Sequence, residues 1–152
     1  MRPTMYSAEE KIASQRYSNI KSRVRKHKFN KDGEVTKYGY DLEDYWERAD
    51  FIKWYVAEKK ACYYCKTSSE ELSGFYKRTD SKRPRGQSLE IERKEDTKYT
   101  EENCELCCYW CNNAKSDIFS FNEFTKIGLA IGLVIKERLR EEQALLSKSS
   151  AP

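Results

Sequence analysis

The sequence predicts an α+β fold with a small core that is stapled by cysteines and flanked by a helix at each end. Two C-x-x-C pairs, Cys62/Cys65 and Cys108/Cys111, stand 42 residues apart. Alternating segments between the pairs predict two short strands, and the second pair leads into a helix. Apolar residues make up only 38% of the 152 residues, so a staple is expected to supply stability that the core alone lacks.

The N-terminal part of the chain predicts two helices. Ser7-Ala8-Glu9-Glu10 has the form of a capping box, and a polar, basic helix is expected from there to about His27. The segment 29–40 contains Asp32-Gly33 and is interpreted as a loop. A second helix is expected from Asp41 to about Lys60, because apolar residues recur there at helical spacing (Tyr45, Ala49, Ile52 and Val56).

The middle of the chain predicts a polar loop, two strands and a helix. The loop extends from the first cysteine pair to about Gln87. Leu89-Glu90-Ile91-Glu92 alternates as a strand does, and residues 103–108 are its expected partner. A helix is expected to begin near Tyr109.

The end of the chain predicts one long helix. Ser120-Phe121-Asn122-Glu123 is another capping-box match and leads into a helix to about Leu146, after which the last residues should fray. We therefore divide the chain into a helical, basic region (1–60), a stapled core (61–120) and a C-terminal helix with its tail (121–152), all within one compact domain.

The cysteines predict a structural zinc site. Four thiolates from two C-x-x-C pairs can close a tetrahedral Zn²⁺ site and join segments that are distant in sequence. Disulfides are the alternative, and they are improbable in a chain without a secretion signal. Cys104 and Cys107 form an overlapping C-x-x-C. We assign Cys108 and Cys111 instead, because Cys111 runs directly into a plausible helix start, Asn112-Asn113-Ala114-Lys115.

The charges indicate a polyanionic partner. The net charge is only +4, but residues 16–31 carry seven Lys or Arg and no acid, and residues 77–85 carry five against Asp80. Such clusters suit nucleic acid, although each alone also fits a solvated surface. The candidate DNA contacts are Arg16, Lys21, Arg23, Arg25, Lys26, Lys28, Lys77, Arg78, Lys82, Arg83 and Arg85. The longest apolar stretch, 127–135, is too short for a membrane span.

The segments between the cysteine pairs form one joint pattern. Its parts are Cys62-x-x-Cys65, Leu89-Glu90-Ile91-Glu92-Arg93, Tyr99-Thr100-Glu101-Glu102-Asn103 and Cys108-x-x-Cys111-Asn112-Asn113-Ala114-Lys115-Ser116. This pattern resembles the HNH, or ββα-metal, endonuclease superfamily in its zinc-stapled, histidine-poor form. The resemblance covers about residues 51–128. It implies a zinc-stapled ββα-metal core in which two strands and a helix hold one divalent cation against the scissile phosphate.

The resemblance implies a role for five residues of the pattern. Glu92 and Asn112 take the positions of the two ligands of the catalytic Mg²⁺ or Mn²⁺, with Glu92 standing where most members carry Asp. Asn103 takes the position of the Asn that braces the strand connection. Arg93 stands where most members carry the general-base histidine, and Lys115 is placed to contact the phosphate.

The missing histidine leaves the general base open. His27 is the only histidine of the chain and lies far from the pattern, and an Arg93 guanidinium stays protonated. Tyr64 and Tyr99 are the candidates that we single out, because a neighbouring cation or Arg93 could depress the pKa of a tyrosine.

The sequence thus predicts a metal-dependent, site-specific double-stranded DNA endonuclease of restriction type. A homodimer is expected, because one site per chain must cut two strands. The expected setting is the cytoplasm of a bacterium, or a phage gene expressed there. The alternatives are a zinc-stapled DNA-binding module without catalytic activity and a nuclease directed at RNA or single strands.

Overall fold

The structure is a computed structural model that describes residues 6–23, 28–37, 45–77, 86, 88–94 and 98–149. The predicted α+β fold is confirmed, with five helices and two two-stranded sheets in these ranges. The elements are α1 (Ala8–Arg23), β1 (Lys28–Phe29), β2 (Val35–Lys37), α2 (Arg48–Ala57), α3 (Ser69–Lys77), β3 (Glu90–Arg93), β4 (Cys104–Cys107), α4 (Tyr109–Lys115) and α5 (Phe121–Ser149).

The chain divides into two compact units. The first unit is formed by Met1–Glu58 and Asp96–Cys104, and the second by Lys59–Glu95 and Glu105–Pro152. The three-part division into 1–60, 61–120 and 121–152 stays a prediction. In the described part of the chain, no helix has both the length and the apolar character that a membrane span requires.

Helix α1 begins as the capping box predicts. The Ser7 backbone N–H donates to Glu10 Oε2 at 2.6 Å, and the Glu10 N–H donates to Ser7 Oγ at 3.2 Å. These two bonds satisfy backbone donors that the first turn would leave unpaired. The predicted end near His27 lies outside the described residues.

The predicted loop at 29–40 contains a short hairpin instead. Strands β1 and β2 pair antiparallel. Asn30 Oδ1 accepts from the backbone N–H groups of Asp32 and Glu34 at 3.0 and 2.9 Å, and Gly33 takes a positive φ of 81°. Strands of two and three residues are too short to show the alternation by which a strand is recognised in a sequence.

Helix α2 begins later than predicted. Tyr45 forms a parallel β-bridge with Tyr99, and the Trp46 N–H donates to the Tyr99 carbonyl at 3.1 Å. This pairing holds the backbone before Arg48 in an extended form, so α2 starts at Arg48, and Glu47 at its N-cap makes no side-chain capping bond. A long-range backbone contact has overridden the helical spacing at residues 45–47, while the predicted start at Asp41 lies outside the described residues.

Aromatic side chains form the core of the first unit. Phe51 is fully buried, and the ring centroids of Trp46 and Trp54 lie 4.6 Å apart. The Tyr17 hydroxyl donates to the Trp46 carbonyl at 3.1 Å. The core thus joins α1, the extended segment and α2.

Helix α3 replaces part of the predicted polar loop in the second unit. Ser68 and Glu71 form a capping box, with backbone donors bonded at 2.8 Å (Ser68 N–H to Glu71 Oε2) and 3.1 Å (Glu71 N–H to Ser68 Oγ). The same sequence signature predicted α1 and α5. Ser68 and Glu71 carry it as well, within the segment for which a loop is predicted.

Helix α5 packs closely on the first cysteine pair. It begins at the predicted capping box of Ser120 and Glu123 and ends at Ser149, beyond the predicted end. A Cβ at Gly128 would overlap Tyr64, and a Cβ at Gly132 would overlap the Cys65 carbonyl oxygen. The two glycines therefore allow the helix to approach the cysteine turn at backbone distance.

Candidate metal centre and active site

The four predicted zinc ligands come together in the second unit. The sulfur atoms of Cys62, Cys65, Cys108 and Cys111 all lie within 4.8 Å of one another, and all four side chains are buried. The assignment of Cys108 and Cys111 to this cluster, rather than Cys104 and Cys107, agrees with that grouping. We call these four residues the cysteine cluster.

Each pair is shaped by its own backbone. In the first pair, the Cys62 N–H donates to the Thr67 carbonyl at 2.9 Å, and the Lys66 N–H donates to the Cys62 carbonyl at 3.0 Å. In the second pair, Cys108 is the N-cap of α4, and its sulfur accepts from the Cys111 N–H at 3.4 Å. These bonds fix the turn of each pair and so set the positions of its two sulfurs.

The geometry of the cysteine cluster fits a tetrahedral zinc ion. With Zn–S bonds of about 2.3 Å, neighbouring sulfurs of a tetrahedron stand about 3.8 Å apart. The Cys65 and Cys108 sulfurs are 3.8 Å apart, far beyond a disulfide bond. Hydrogen bonding lowers the pKa of Cys62, chiefly through Cys107, and raises that of Cys111, chiefly through Cys108. Thiols this close cannot all ionise without a cation.

Glu92 is a buried carboxylate with two polar partners. It lies on β3 with 5% exposure. Lys115 Nζ of α4 lies 2.9 Å from Glu92 Oε1, and the Tyr64 hydroxyl donates to the same oxygen at 3.2 Å. Glu92 Oε2 takes part in neither of these two contacts.

Asn112 is held by a residue that sequence reasoning missed. Its Nδ2 donates to Glu90 Oε2 at 2.7 Å. Glu90 and Glu92 are two residues apart on β3, so they share a face of the strand. Asn112 and Lys115 are three apart on α4 and share a face of the helix. The strand alternation of Glu90 and Glu92 was the available signal, but the pairing with α4 shows only in the fold.

Tyr64 lies between the cysteine cluster and Glu92. Its side chain is fully buried, and its ring packs edge-on against Phe124 at 5.0 Å between centroids. Burial, reinforced by the Glu92 carboxylate, raises the pKa of Tyr64 above its usual value. In this arrangement, Tyr64 is a protonated hydroxyl that donates to the carboxylate.

The remaining predicted catalytic residues are distributed over both units. Arg93 ends β3 beside Glu92, in the second unit. Tyr99 and Asn103 belong to the first unit, where Tyr99 packs on Tyr45 and Asn103 Nδ2 donates to the Lys98 carbonyl at 2.8 Å. The Asn103 bond spans the turn that leads into β4. The catalytic roles of all three remain predictions.

Few of the predicted DNA contacts have side chains in the described part of the chain. Lys21 on α1 and Lys77 on α3 are exposed, and Arg16 is half-buried. Arg16 hydrogen-bonds Tyr55 and lowers its pKa, although burial outweighs this effect and raises it. For Arg23 and Lys28 the structure describes the backbone but not the side chain. His27 and the other predicted contacts lie outside the described residues: Arg25, Lys26, Arg78, Lys82, Arg83 and Arg85.

Comparison with solved structures finds a similar fold. Neither a protein-family model nor a curated protein sequence matches the chain. The solved structure of the rare-cutting HNH restriction endonuclease PacI is similar, with a TM-score of 0.61, 24% sequence identity, and coverage of 90% of this chain and 94% of that one. The cysteine cluster also agrees with a zinc-stapled form of this fold. The chain therefore has the fold of an HNH restriction endonuclease.

Proposed function

We propose that the protein is a metal-dependent endonuclease that hydrolyses phosphodiester bonds in double-stranded DNA. The observation that carries the proposal is a pair of side chains with oxygen atoms that can bind a metal ion, Glu92 and Asn112, at the contact between β3 and α4. Glu92 is buried there with Oε1 bonded and Oε2 outside those contacts, and Asn112 lies on the adjacent face of α4. The fold shared with an HNH restriction endonuclease supports the same reading.

The donor set fits a hard divalent cation. One carboxylate and one amide oxygen suit Mg²⁺ or Mn²⁺, and both ions keep other positions for water and phosphate oxygens. Bound there, such an ion supplies positive charge to the phosphate and to the leaving oxygen. The cysteine cluster provides soft ligands, so we assign zinc to it in a structural role. The two centres therefore select different metals by ligand chemistry.

Tyr64 and Lys115 prepare Glu92 for this role. Both contact Oε1, which restricts the rotation of the carboxylate and leaves Oε2 outside these two contacts. The Lys115 ammonium also brings positive charge to the place where a phosphate would dock. With its pKa raised in this arrangement, Tyr64 acts in our proposal as a positioning residue for Glu92, rather than as the base that the sequence suggested.

Replacing Tyr64 with phenylalanine separates these two roles. We expect Tyr64→Phe to lower the rate of cleavage about tenfold and to weaken Mn²⁺ affinity in parallel, as loss of a bond to a metal ligand does. The measurement is single-turnover cleavage with a Mn²⁺ titration. Tyr63→Phe is the matched control, because Tyr63 lies next to Tyr64 in the same turn and its half-buried ring packs on Phe121 with 4.8 Å between the ring centroids. A loss of about 10²-fold or more at unchanged Mn²⁺ affinity would instead identify Tyr64 as the base.

DNA contacts and assembly complete the proposal. Exposed Lys21 and Lys77, with the basic residues around them in sequence, would bind phosphates. We propose a homodimer, since two copies related by a two-fold axis place one site on each strand. A restriction-type role in a bacterial or phage setting, with the protein in the cytoplasm, is part of the same proposal.

One observation favours a second candidate, a DNA-binding module without catalytic activity. The Lys115 ammonium already neutralises Glu92, and the side chains are only 13% and 6% exposed. An ion pair this buried can have a purely structural role, without any metal ion bound to the carboxylate. In that case the protein would bind DNA, and Mg²⁺ would change nothing.

A cleavage assay on circular duplex DNA tests the proposal. We expect discrete linear products with Mg²⁺ or Mn²⁺ and none with EDTA, and sequencing the ends would give the target. Nicked circles as the final product would contradict the homodimer. Gel-shifted but uncut DNA under all metal conditions would support the binding module, and cleavage of RNA or single strands alone would refute the duplex substrate.

A further inference from the structure

Glu90 is a second carboxylate at the candidate metal site to which the motif gives no role. Its Oε2 accepts from Asn112 Nδ2 at 2.7 Å, a short distance for this kind of bond. It lies on β3 and Asn112 on α4, so this bond crosses from the strand to the helix. The Glu92–Lys115 ion pair crosses the same contact.

The bond determines which end of the Asn112 amide faces the site. An amide group has an oxygen that accepts and an NH₂ that donates, and a half-turn about its last bond exchanges them. An ionised carboxylate only accepts, so Glu90 takes the NH₂ end. The Oδ1 oxygen is then directed away from Glu90, as a ligand for a hard cation must be.

We propose that Glu90 is a positioning residue that orients the Asn112 amide, so that Oδ1 and not Nδ2 is offered to the divalent cation. The proposal rests on the proposed function, since it assigns to Asn112 the role of metal ligand. Glu90 acts through Asn112 and does not itself bind the ion. Each of the two proposed metal ligands is then oriented by other residues: Glu92 by Tyr64 and Lys115, and Asn112 by Glu90.

A double-variant cycle on Mn²⁺ affinity tests this relation. The variants are Glu90→Ala, Asn112→Ala and the two together, each purified with its structural metal, with Mn²⁺ binding measured by electron paramagnetic resonance. We expect Glu90→Ala to weaken Mn²⁺ binding about 10- to 100-fold with Asn112 present. With Asn112 already replaced, Glu90→Ala should change the affinity less than about threefold, because there is no amide left to orient.

A second variant and a control keep the test independent of folding. Glu90→Gln retains an oxygen that accepts from Asn112 Nδ2, so its affinity should fall between those of the wild type and Glu90→Ala. Glu105→Gln removes a carboxylate that pairs with Lys94 at 2.8 Å on the neighbouring strand β4. It should leave Mn²⁺ affinity unchanged. Circular dichroism and metal content would show that each variant is folded.

The outcomes separate this inference from the proposed function. If Glu90→Ala weakens Mn²⁺ binding equally with and without Asn112, Glu90 acts by charge or as a direct ligand, and the positioning role is wrong. If Glu90→Ala has no effect while Asn112→Ala weakens binding, the inference fails and the metal site stands. If Asn112→Ala has no effect, the metal site itself is misassigned.

Discussion

Replacement of Glu92 with glutamine is expected to abolish DNA cleavage while leaving DNA binding intact. Glutamine has nearly the same volume, and its amide oxygen can still accept from Tyr64 and Lys115 at the Oε1 position. The change removes the negative charge of the carboxylate and places an NH₂ group, which cannot bind a metal ion, at the Oε2 position. Loss of a catalytic metal withdraws several kcal/mol of transition-state stabilisation, which corresponds to about 10³-fold or more in rate.

The uncompensated Lys115 ammonium is the one complication of this variant. Breaking one side of a buried ion pair destabilises a protein, since the remaining charge has no partner. The double variant Glu92→Gln/Lys115→Met replaces both members with neutral side chains of similar size. It should recover most of the lost melting temperature and remain inactive.

Three measurements decide the outcome. Cleavage of plasmid DNA with Mg²⁺ reports activity, gel shift with EDTA reports binding, and Mn²⁺ titration reports the metal. Glu105→Gln should match the wild type in all three, because the ion pair of Glu105 on β4 with Lys94 is partly exposed and includes no residue assigned to the metal site. If Glu92→Gln cuts within about threefold of the wild-type rate, the catalytic metal is held elsewhere.

The sequence predicted the grouping of the four cysteines, but it did not predict the contacts that surround Glu92 and Asn112. The cysteine cluster could be predicted because the spacing of two C-x-x-C pairs carries the signal. Glu92 could be proposed only through the resemblance of the joint pattern to a known family. Glu90 lies on the same strand as Glu92, yet nothing local distinguishes it from a surface acid. Its bond to Asn112 depends on how α4 packs on β3, which is a property of the fold.

The errors in the predicted elements have the same origin. Helix α3 carried a local signal, the Ser68–Glu71 capping box, and could have been predicted. The delayed start of α2 could not, because it depends on backbone pairing between Tyr45 and Tyr99, which are 54 residues apart. Tyr64 is an intermediate case. Its position between two cysteines was visible, but the burial that raises its pKa was not.

Replacement of Cys62 with alanine is expected to unfold the second unit and release the metal. Structural zinc contributes about 10–16 kcal/mol to the folding of zinc-finger peptides, as much as the whole stability of a typical domain, about 5–15 kcal/mol. The second unit depends on such a contribution, because the cysteine cluster connects the turn of the first cysteine pair to α4. The fully buried Tyr64 lies inside that turn.

Cys104→Ala is the matched control for this experiment. Cys104 is as buried as Cys62, with 2% and 1% exposure, but its sulfur is not part of the cysteine cluster. Its replacement should keep the metal and cost about 1 kcal/mol of packing. The measurements are metal content per chain and thermal unfolding by circular dichroism. A Cys62→Ala protein that keeps one metal ion and melts within a few degrees of wild type would contradict the assignment.

Reductant and chelator distinguish metal from disulfide as the staple. A staple of thiolates around a metal is insensitive to a phosphine reductant and is lost to a strong chelator, whereas a disulfide behaves in the opposite way. We expect the melting temperature of the wild type to be unchanged by reductant and to fall with chelator in step with zinc release. Because Glu92 and Asn112 lie on β3 and α4 beside the cysteine cluster, cleavage should be lost over the same range of chelator, and added Mg²⁺ alone should not restore it.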